Sequence, residues 1–326
     1  MSKGWNATAL TVLLGAVAVS PQLPLSAQAT ARSYTASRFG IELTAPQAAH
    51  LFAQSVTGGE LASDVGKGTV APGSMVKKQE IGVRFSPITL RGNALELLSA
   101  FQTAFDQRPV WFDGRIVTVD FNDKVLDQTT FLRAGITQIV LSALDASSRD
   151  APTVELTLTP EQVRRSTGAN GQSFPYTSKV QKAGPVLFEL RMPGLDDAMK
   201  HVMRVESIRL LQRAPASVGG VSAEYAQRAP GGFETGNIVL TIPAAHAGEL
   251  TQWRQQLLAG RSSSLDKTLD LQLLTASKGL LLVLHASGVS LVNMREVSSP
   301  SSESRVQAEL SVQHWNVGQG STTALQ

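Results

Sequence analysis

The sequence of 326 residues contains no cysteine. This absence excludes disulfides, thiolate zinc sites and cysteine nucleophiles, and it suits a location outside the cytoplasm. Charged residues are also sparse, at 17% with a net charge of +3, and no run of lysines or arginines is interleaved with aromatic residues. Nucleic-acid binding is therefore not expected.

Clustered metal ligands are missing from the sequence pattern as well. The five histidines stand apart along the chain, and no two of them are separated by four residues, the spacing of a helical ligand pair. We interpret them as surface or packing residues: His50, His201, His246, His285 and His314. No metal site and no cofactor site is predicted.

The motifs of common enzymes are also lacking. Gly66 and Lys67 resemble the end of a phosphate loop, but Leu61 stands where the first glycine is needed and Gly68 replaces the hydroxyl. The chain has no Gly-x-Ser-x-Gly elbow to present a hydrolase nucleophile. Four carboxylates are close enough in sequence to suggest acid–base pairs, but such pairs are usually solvated loop or cap residues. They are Asp120, Asp123, Asp196 and Asp197. No catalytic residue is predicted, and the protein is interpreted as a non-enzyme.

The N-terminal 29 residues have the pattern of an export signal. Lys3 supplies a positive charge, residues 7–20 form an apolar core, and residues 27–29, Ala-Gln-Ala, form a small-residue cleavage site. An uncleaved anchor or a disordered leader is the alternative interpretation. No later segment has the roughly 18 uninterrupted apolar residues of a membrane helix, so no integral membrane segment is expected after cleavage. The sequence predicts an exported protein, periplasmic or extracellular.

An internal repeat organises the rest of the chain. Residues 248–312 have a weaker likeness in residues 95–158, and further matches lie upstream, in the same order. The matched segments are 39–46 with 186–193, 80–82 with 234–236, 116–121 with 269–274, 131–136 with 284–289, and 154–158 with 308–312. In the fourth of these pairs Gly135 is aligned with Gly288. This order predicts a tandem duplication.

Within each unit, short alternating strands surround one helix. Phe39, Ile41 and Leu43 alternate as in a strand with one buried face. A helix is predicted over residues 94–106 with Asn93 as N-cap. The second helix carries an apolar stripe of four residues, with Gly260 placed to end it. The stripe consists of Leu250, Trp253, Leu257 and Leu258.

Turn-forming residues predict the connections between these elements. Asp113 and Gly114 indicate a tight hairpin before the strand that begins at Ile116. Residues 57–78 and 215–232 are expected to be long exposed loops. The predicted boundaries are a signal peptide at 1–29, a first β-barrel domain at 30–165, a linker at 166–184, a second β-barrel domain at 185–318 and a polar tail at 319–326. The fold class is mainly β, with two small antiparallel β-barrels and one flanking helix in each.

Residues 249–260, followed by paired strands and the closing segment 308–312, resemble the tail-tube proteins of contractile bacteriophages. The entry strand of that family, of the Phe-x-x-x-Ile-x-Gly kind, is approximated by residues 188–194. The resemblance covers most of residues 185–317 and, more faintly, 39–165. Type VI secretion tube proteins have similar domains. This chain departs from the family in its export signal and in carrying two units.

The resemblance implies barrels that assemble into rings around a lumen and stack into a tube. Two such domains in one chain would let a trimer form a pseudo-sixfold ring. The expected partners are copies of the same chain, in a trimeric or hexameric ring, or other tube-like proteins. The predicted function is that of an exported structural protein or adaptor. A secreted two-domain binding module for a polysaccharide or a surface protein is the alternative, and an exported hydrolase is a third.

Overall fold

Alternating apolar and polar residues place one face of most strands of the two large sheets in a shared core. We analysed a computed structural model, which describes residues 38–67, 78–105, 110–120, 124–148, 150–167, 172–175, 186–212, 233–260, 267–299 and 302–319. All of them belong to one compact unit, Thr35–Gln326. The predicted signal peptide at residues 1–29 and the predicted loop at 215–232 lie outside the described residues.

Antiparallel strands dominate this part of the chain, which confirms the mainly β fold class. In the first half the strands are β1 (Arg38–Ala45), β2 (Ala49–Ala53), β3 (Ser55–Thr57), β4 (Leu61–Lys67), β5 (Lys78–Phe85), β6 (Ile88–Asn93), β7 (Phe112–Val119), β8 (Val125–Leu141), β9 (Leu144–Asp145), β10 (Thr153–Thr159) and β11 (Gln162–Thr167). In the second half they are β12 (Leu187–Arg191), β13 (Arg204–Val205), β14 (Ile208–Gln212), β15 (Phe233–Thr235), β16 (Ile238–Pro243), β17 (Lys267–Leu274), β18 (Leu280–Ser299), β19 (Ser302–Ser311) and β20 (His314–Gln319). The α-helices are α1 (Ala94–Ala100), α2 (Asp196–Lys200) and α3 (Gly248–Leu258), with 3-10 turns at Gln102–Phe105 and Ala244–His246.

The sheet of the first half closes on itself. Its strand order is β2-β1-β7-β8-β10-β6-β3, and β2 and β3 at the two ends are separated only by Gln54. The backbone N–H of Gln54 donates to the carbonyl of Arg91 on β6 at 2.7 Å. The segment β2–β3 therefore pairs with β1 through its first part and with β6 through its second part. The result is a small antiparallel barrel.

The second half has the same strand order with one replacement. Its sheet runs β12-β17-β18-β19-β16-β13, and β20 pairs with β18 as β11 pairs with β8. Helix α2 follows β12 where β2 follows β1, and it packs against β12. The second half therefore carries one short helix more than the single helix predicted for it.

The pairing register of the two halves agrees even at its irregularities. Ile41 pairs with Ile116, as Leu190 pairs with Leu271. In β8 the pairing with β10 passes over Thr137, which lies between the partners of Leu158 and Thr157. In β18 the pairing with β19 passes over the corresponding residue, Val292. A β-bulge is a specific local distortion, so its presence at the same place in both halves indicates the same backbone path.

Left-handed backbone also occurs once in each long strand. Arg133 of β8 has φ 49° and Gly288 of β18 has φ 64°. In the first half, the residue after Arg133 is Ala134, which pairs with Phe112 at the start of β7. In the second half, the residue after Gly288 is Val289, which pairs with Lys267 at the start of β17. The register therefore aligns Gly288 with Arg133, not with Gly135 as the sequence alignment had it.

The start of α1 and the end of α3 follow the sequence pattern, whereas the helix predicted over residues 94–106 ends at Ala100 and is followed by the 3-10 turn Gln102–Phe105. The side chain of Asn93 accepts a hydrogen bond from the N–H of Leu95 at 2.8 Å, which confirms it as the N-cap of α1. Gly260 follows the end of α3 with φ 63°, as predicted for a C′ glycine. The predicted apolar stripe is wrong at Leu258, which is 78% exposed because it lies at the last position of the helix, beyond the sheet it covers.

Two turn predictions are wrong. Asp113 and Gly114 form no hairpin, because β7 continues through them and pairs with β1. Glycine is needed there for space: a Cβ at position 114 would lie 2.4 Å from the carbonyl oxygen of Glu42. The predicted loop at residues 57–78 contains strand β4, which pairs with β5 as a two-stranded hairpin. The segment has the polar composition of a loop because this hairpin lies outside the two large sheets.

One buried cluster of apolar side chains includes residues of both halves, from Ile41 to Val317. Phe174, within the predicted linker, is buried in a smaller cluster with Val117, Val119 and Val125. No helix among the described residues is long and apolar enough to cross a membrane.

Candidate functional site

The two halves are joined by strand pairing, and this joint is the starting point for the candidate site. Strand β14 of the second half pairs antiparallel with the C-terminal part of β8 in the first half. On its other side β14 pairs with β15, so a hairpin of one half extends the sheet of the other. The central pair of the joint is Leu210 opposite Ile139.

Apolar side chains fill this joint. Leu210 is 5% exposed, and Ile139, Leu141 and Ile208 are also buried. Burying a leucine stabilises a structure by about 1.5–3 kcal/mol relative to leaving it in water. The joint therefore has both a backbone ladder and an apolar core.

The first half contains the corresponding hairpin, β4–β5, but no third strand of the described chain pairs with it. Leu61 pairs with Phe85 in the β4–β5 hairpin, as Leu210 pairs with Thr235 in the β14–β15 hairpin. The β4–β5 hairpin forms a sheet of its own among the described residues, and Leu61 is 67% exposed. We call residues 59–62 the hairpin edge, since residues 208–211 occupy the joint at the corresponding positions.

The outward direction of the hairpin edge follows from its hydrogen bonds. Glu60 and Ser86 are bonded to each other: the N–H of Ser86 donates to the carbonyl of Glu60 at 2.7 Å, and the N–H of Glu60 donates to the Oγ of Ser86 at 3.0 Å. Successive residues of a strand direct their backbone groups to opposite sides. The N–H and C=O of Leu61 therefore lie on the edge away from β5.

The second half contains an unpaired counterpart of the surface that receives the hairpin. In β18, residues 293–296 correspond by register to residues 138–141 of β8, and we call them the acceptor edge. They pair with β19 on one side. On the other side no strand of the described chain pairs with them. Val292 and Val297, which flank this edge, are exposed at 55% and 38%.

Side chains satisfy the backbone groups of the acceptor edge. The N–H of Met294 donates to the Oδ1 of Asn293 at 2.8 Å. The carbonyl of Met294 accepts a hydrogen bond from Nη1 of Arg254, on α3, at 3.5 Å. Covering an open edge with local side chains is one way in which proteins prevent unwanted strand pairing. Both contacts are weaker than a ladder and can be replaced by one.

Charges on the two edges are complementary. When the register of the joint is transferred, Leu61 falls opposite Met294 and Glu60 falls opposite Arg295. Partial burial raises the pKa of Glu60, but hydrogen bonds from Ser86, from its own backbone N–H and from Arg165 outweigh this and lower the pKa below its ordinary value. Glu60 is therefore a carboxylate at neutral pH, of the sign that Arg295 attracts.

A polar cleft with a volume of about 520 Å³ lies beside the joint. Its lining includes Arg91, Asp145 and Arg204. Hydrogen bonds from Ser147 lower the pKa of Asp145, and the hydrogen bond to Glu206 raises the pKa of Arg204. Arg204 and Asp145 approach to 3.6 Å across the paired strands β13 and β9. These charges neutralise one another and connect the two halves.

The residues considered for catalysis in the sequence are dispersed. Asp120 accepts a hydrogen bond from the N–H of Lys124, and Asp123 lies outside the described residues. Gly66 and Lys67 lie in strand β4, not in a loop that precedes a helix. Trp253, on α3, is buried, so it offers no exposed aromatic surface for binding.

Two of the five histidines come together. His201 and His246 stack with their ring centroids 3.4 Å apart, beside Asp197. The other three lie elsewhere: His50 is 3.9 Å from Glu42, His285 is 2.7 Å from Asp270, and His314 begins β20. Sequence spacing alone does not reveal the stacked pair, because its members are on different elements.

Comparison with known proteins gives partial structural matches. No protein-family model matches the chain, and no curated protein matches it. Among solved structures, a chain of the sheath–tube complex of an extracellular contractile injection system is similar at 20% identity and a TM-score of 0.32, covering 40% of this chain and 89% of that one. A chain of the anti-feeding prophage tube-terminating cap is similar at 18% identity and a TM-score of 0.31, covering 48% of this chain and 100% of that one.

Proposed function

We propose that the protein is a structural subunit that assembles head to tail, with the hairpin edge of one copy adding to the acceptor edge of the next. The observation that carries the proposal is the joint within the chain, where β14 makes this contact with β8. In the joint the second half supplies the hairpin and the first half supplies the long strand. Within the part of the chain that the structure describes, no further strand pairs with the hairpin edge of the first half or with the acceptor edge of the second half. A second copy of the chain therefore has the complementary surface.

The proposed interface would bury the exposed side chain of Leu61 and pair the backbone groups on the open side of the hairpin edge. Leu61 would be buried against Met294, as Leu210 is buried against Ile139. Glu60 would pair with Arg295, and the ladder would replace the contacts that Asn293 and Arg254 make with Met294. The interface is heterologous, because different surfaces meet, so repeated addition gives either a ring or an open filament.

We propose a closed ring of three chains, which contains six barrels, as the resemblance to tail-tube proteins implies. The tandem organisation, with domains at 30–165 and 185–318, a linker at 166–184 and a tail at 319–326, is part of this proposal, as is export through the segment 1–29. The repeated register supports descent from a duplicated unit. The assembly has a structural role and no catalytic one.

The first experiment measures the mass of the chain from residue 30 onward by light scattering, with negative-stain imaging of the same sample. A trimer with a central hole is expected. The variant Leu61→Asp should reduce it to single chains, because a carboxylate would be placed in the apolar centre of the interface. Leu280→Asp is the matched control, since Leu280 is also an exposed leucine but begins β18, far along the strand from the acceptor edge. Single chains at high wild-type concentration would refute the proposal.

A charge exchange tests the register. Arg295→Glu should weaken assembly, because it places a second carboxylate opposite Glu60. The double variant with Glu60→Arg should restore assembly. If the double variant is no better than the single one, the two residues are not opposite each other and the transferred register is wrong.

A further inference from the structure

A carboxylate and two imidazoles meet at one place on the second half, and the elements that hold them are tied together. Asp197 lies in the first turn of α2, and His201 directly follows this helix. His246 ends the 3-10 turn before α3. The carboxylate of Glu249, on α3, accepts hydrogen bonds from the N–H groups of Asp197 and Ala198 at 3.0 and 3.1 Å. Helix α2 is thereby fixed against the start of α3.

The three side chains converge on one region. The Oδ2 of Asp197 lies 3.1 Å from Nδ1 of His246, and its Oδ1 lies 3.5 Å from Nδ1 of His201. The two rings are stacked at 3.4 Å with an interplanar angle of 5°. One ligand atom from each residue lies within 4.8 Å of the other two. Among the described residues this is the only group of three metal-ligand side chains with such spacing.

We propose that Asp197, His201 and His246 form a binding site for a divalent transition-metal ion of the zinc class. Two nitrogens and one carboxylate oxygen are a donor set that zinc accepts, with the fourth position left for water or a partner. Metal–ligand bonds of about 2.0–2.2 Å require ligand atoms about 3.4 Å apart in a tetrahedral site.

The side chains can reach this geometry at low cost. All three are between 36% and 56% exposed, so their torsions are free to turn the donor atoms inward. The Nδ1 of His201 lies 2.9 Å from the backbone carbonyl of Asp197. This contact holds the ring of His201 beside Asp197, as an outer partner commonly orients a metal-binding histidine. Glu249 orients Asp197 through the backbone.

The same half contains a pair that serves as a control. His285 and Asp270 are 2.7 Å apart on the neighbouring strands β18 and β17. This pair has the same two donor types but only one imidazole, and no third ligand of the described chain joins it. A site that depends on three converging ligands should distinguish His246 from His285, whereas weak surface binding should not.

The test is titration of untagged, chelator-treated full-length chain with zinc chloride by isothermal calorimetry, followed by thermal melts with and without zinc. One ion per chain is expected, with an increase in melting temperature. His246→Ala and His201→Ala should each weaken binding by at least about tenfold and abolish the increase, whereas His285→Ala should retain both.

Circular dichroism of each variant without metal confirms that it is folded. No binding by the wild-type chain, or equal binding by His246→Ala and His285→Ala, would overturn the proposal. Because His246 and His201 are absent from both edges of the proposed assembly, light scattering of the same variants separates a failure of the metal site from a failure of assembly.

Discussion

The two halves of the chain have one backbone register and two different surfaces. Leu210 and Leu61 occupy the same position in their hairpins, yet one is 5% exposed and the other 67%. Ile139 is buried beneath Leu210, whereas its counterpart Met294 is only partly covered. Burial therefore depends on whether the hairpin has a strand to join. Comparing the two halves therefore explains the exposure of Leu61, which the structure of its own hairpin does not explain.

The largest effect is expected when each of the two corresponding leucines, Leu210 and Leu61, is replaced by alanine. Leu210→Ala should lower the free energy of unfolding by about 2–5 kcal/mol, because it leaves a cavity in the joint. Leu61→Ala should change it by less than about 0.5 kcal/mol in the single chain. Urea unfolding at concentrations where light scattering gives single chains measures both. Equal losses would mean that the hairpin of the first half is already packed.

A second contrast concerns glycine at a crowded position. Gly114 corresponds by register to Leu269 of the second half. A Cβ added at position 114 would lie 2.4 Å from the carbonyl oxygen of Glu42, whereas the second half accommodates a leucine at the corresponding position. Gly114→Ala should cost about 1–3 kcal/mol, because the strands must separate. Gly248→Ala is the control, since nothing lies within 4 Å of its added Cβ, and it should stabilise α3 slightly. Unchanged stability of Gly114→Ala in thermal melts would contradict the contact.

The left-handed positions provide a smaller contrast. Gly288→Ala should cost about 1–2 kcal/mol, since alanine resists positive φ and its Cβ would meet Gln313. Arg133→Gly should be close to neutral: it relieves the backbone but loses the exposed ion pair with Glu161 at 2.7 Å. Chemical denaturation of both variants measures the difference. A large loss in Arg133→Gly would show that its side chain holds the strand.

The smallest expected effect is on pH dependence. Because the pKa of Glu60 is lowered in the folded chain, its contribution is present above its ordinary value of 4.5 and is lost as the pH falls through the lowered value. Acidification below about pH 4.5 should weaken both the hairpin and the proposed assembly. Glu60→Gln should remove this part of the pH dependence in thermal melts between pH 3 and 6. The counterpart of Glu60 in the joint within the chain is Arg209, which is not a carboxylate, so that joint is the internal control.

Local signals predicted the strands and helix ends well. Ile41 and Leu43 are buried on β1 as their alternation indicates, and Asn93 and Gly260 end their helices through interactions within a few residues. Such features depend on nearby chain, which the sequence displays directly.

Features that depend on distant chain were predicted less well. The alignment matched Gly135 with Gly288 by identity, whereas the backbone needs positive φ at position 133 and an arginine adopts it. Gly114 resembles a turn residue, but the close approach of β1 determines its role. The stacked pair His201 and His246, and the two unpaired edges, arise from contacts between segments that are far apart in sequence.

The strand pairing between β14 and β8 also has a kinetic consequence. Since every chain folds with one such contact already made, half of the contacts in the proposed closed assembly would form at a rate that does not depend on concentration. Only the other half would require encounters between molecules. The proposed assembly would contain an even number of barrels, and a partial ring would present one hairpin at one end and one long strand at the other.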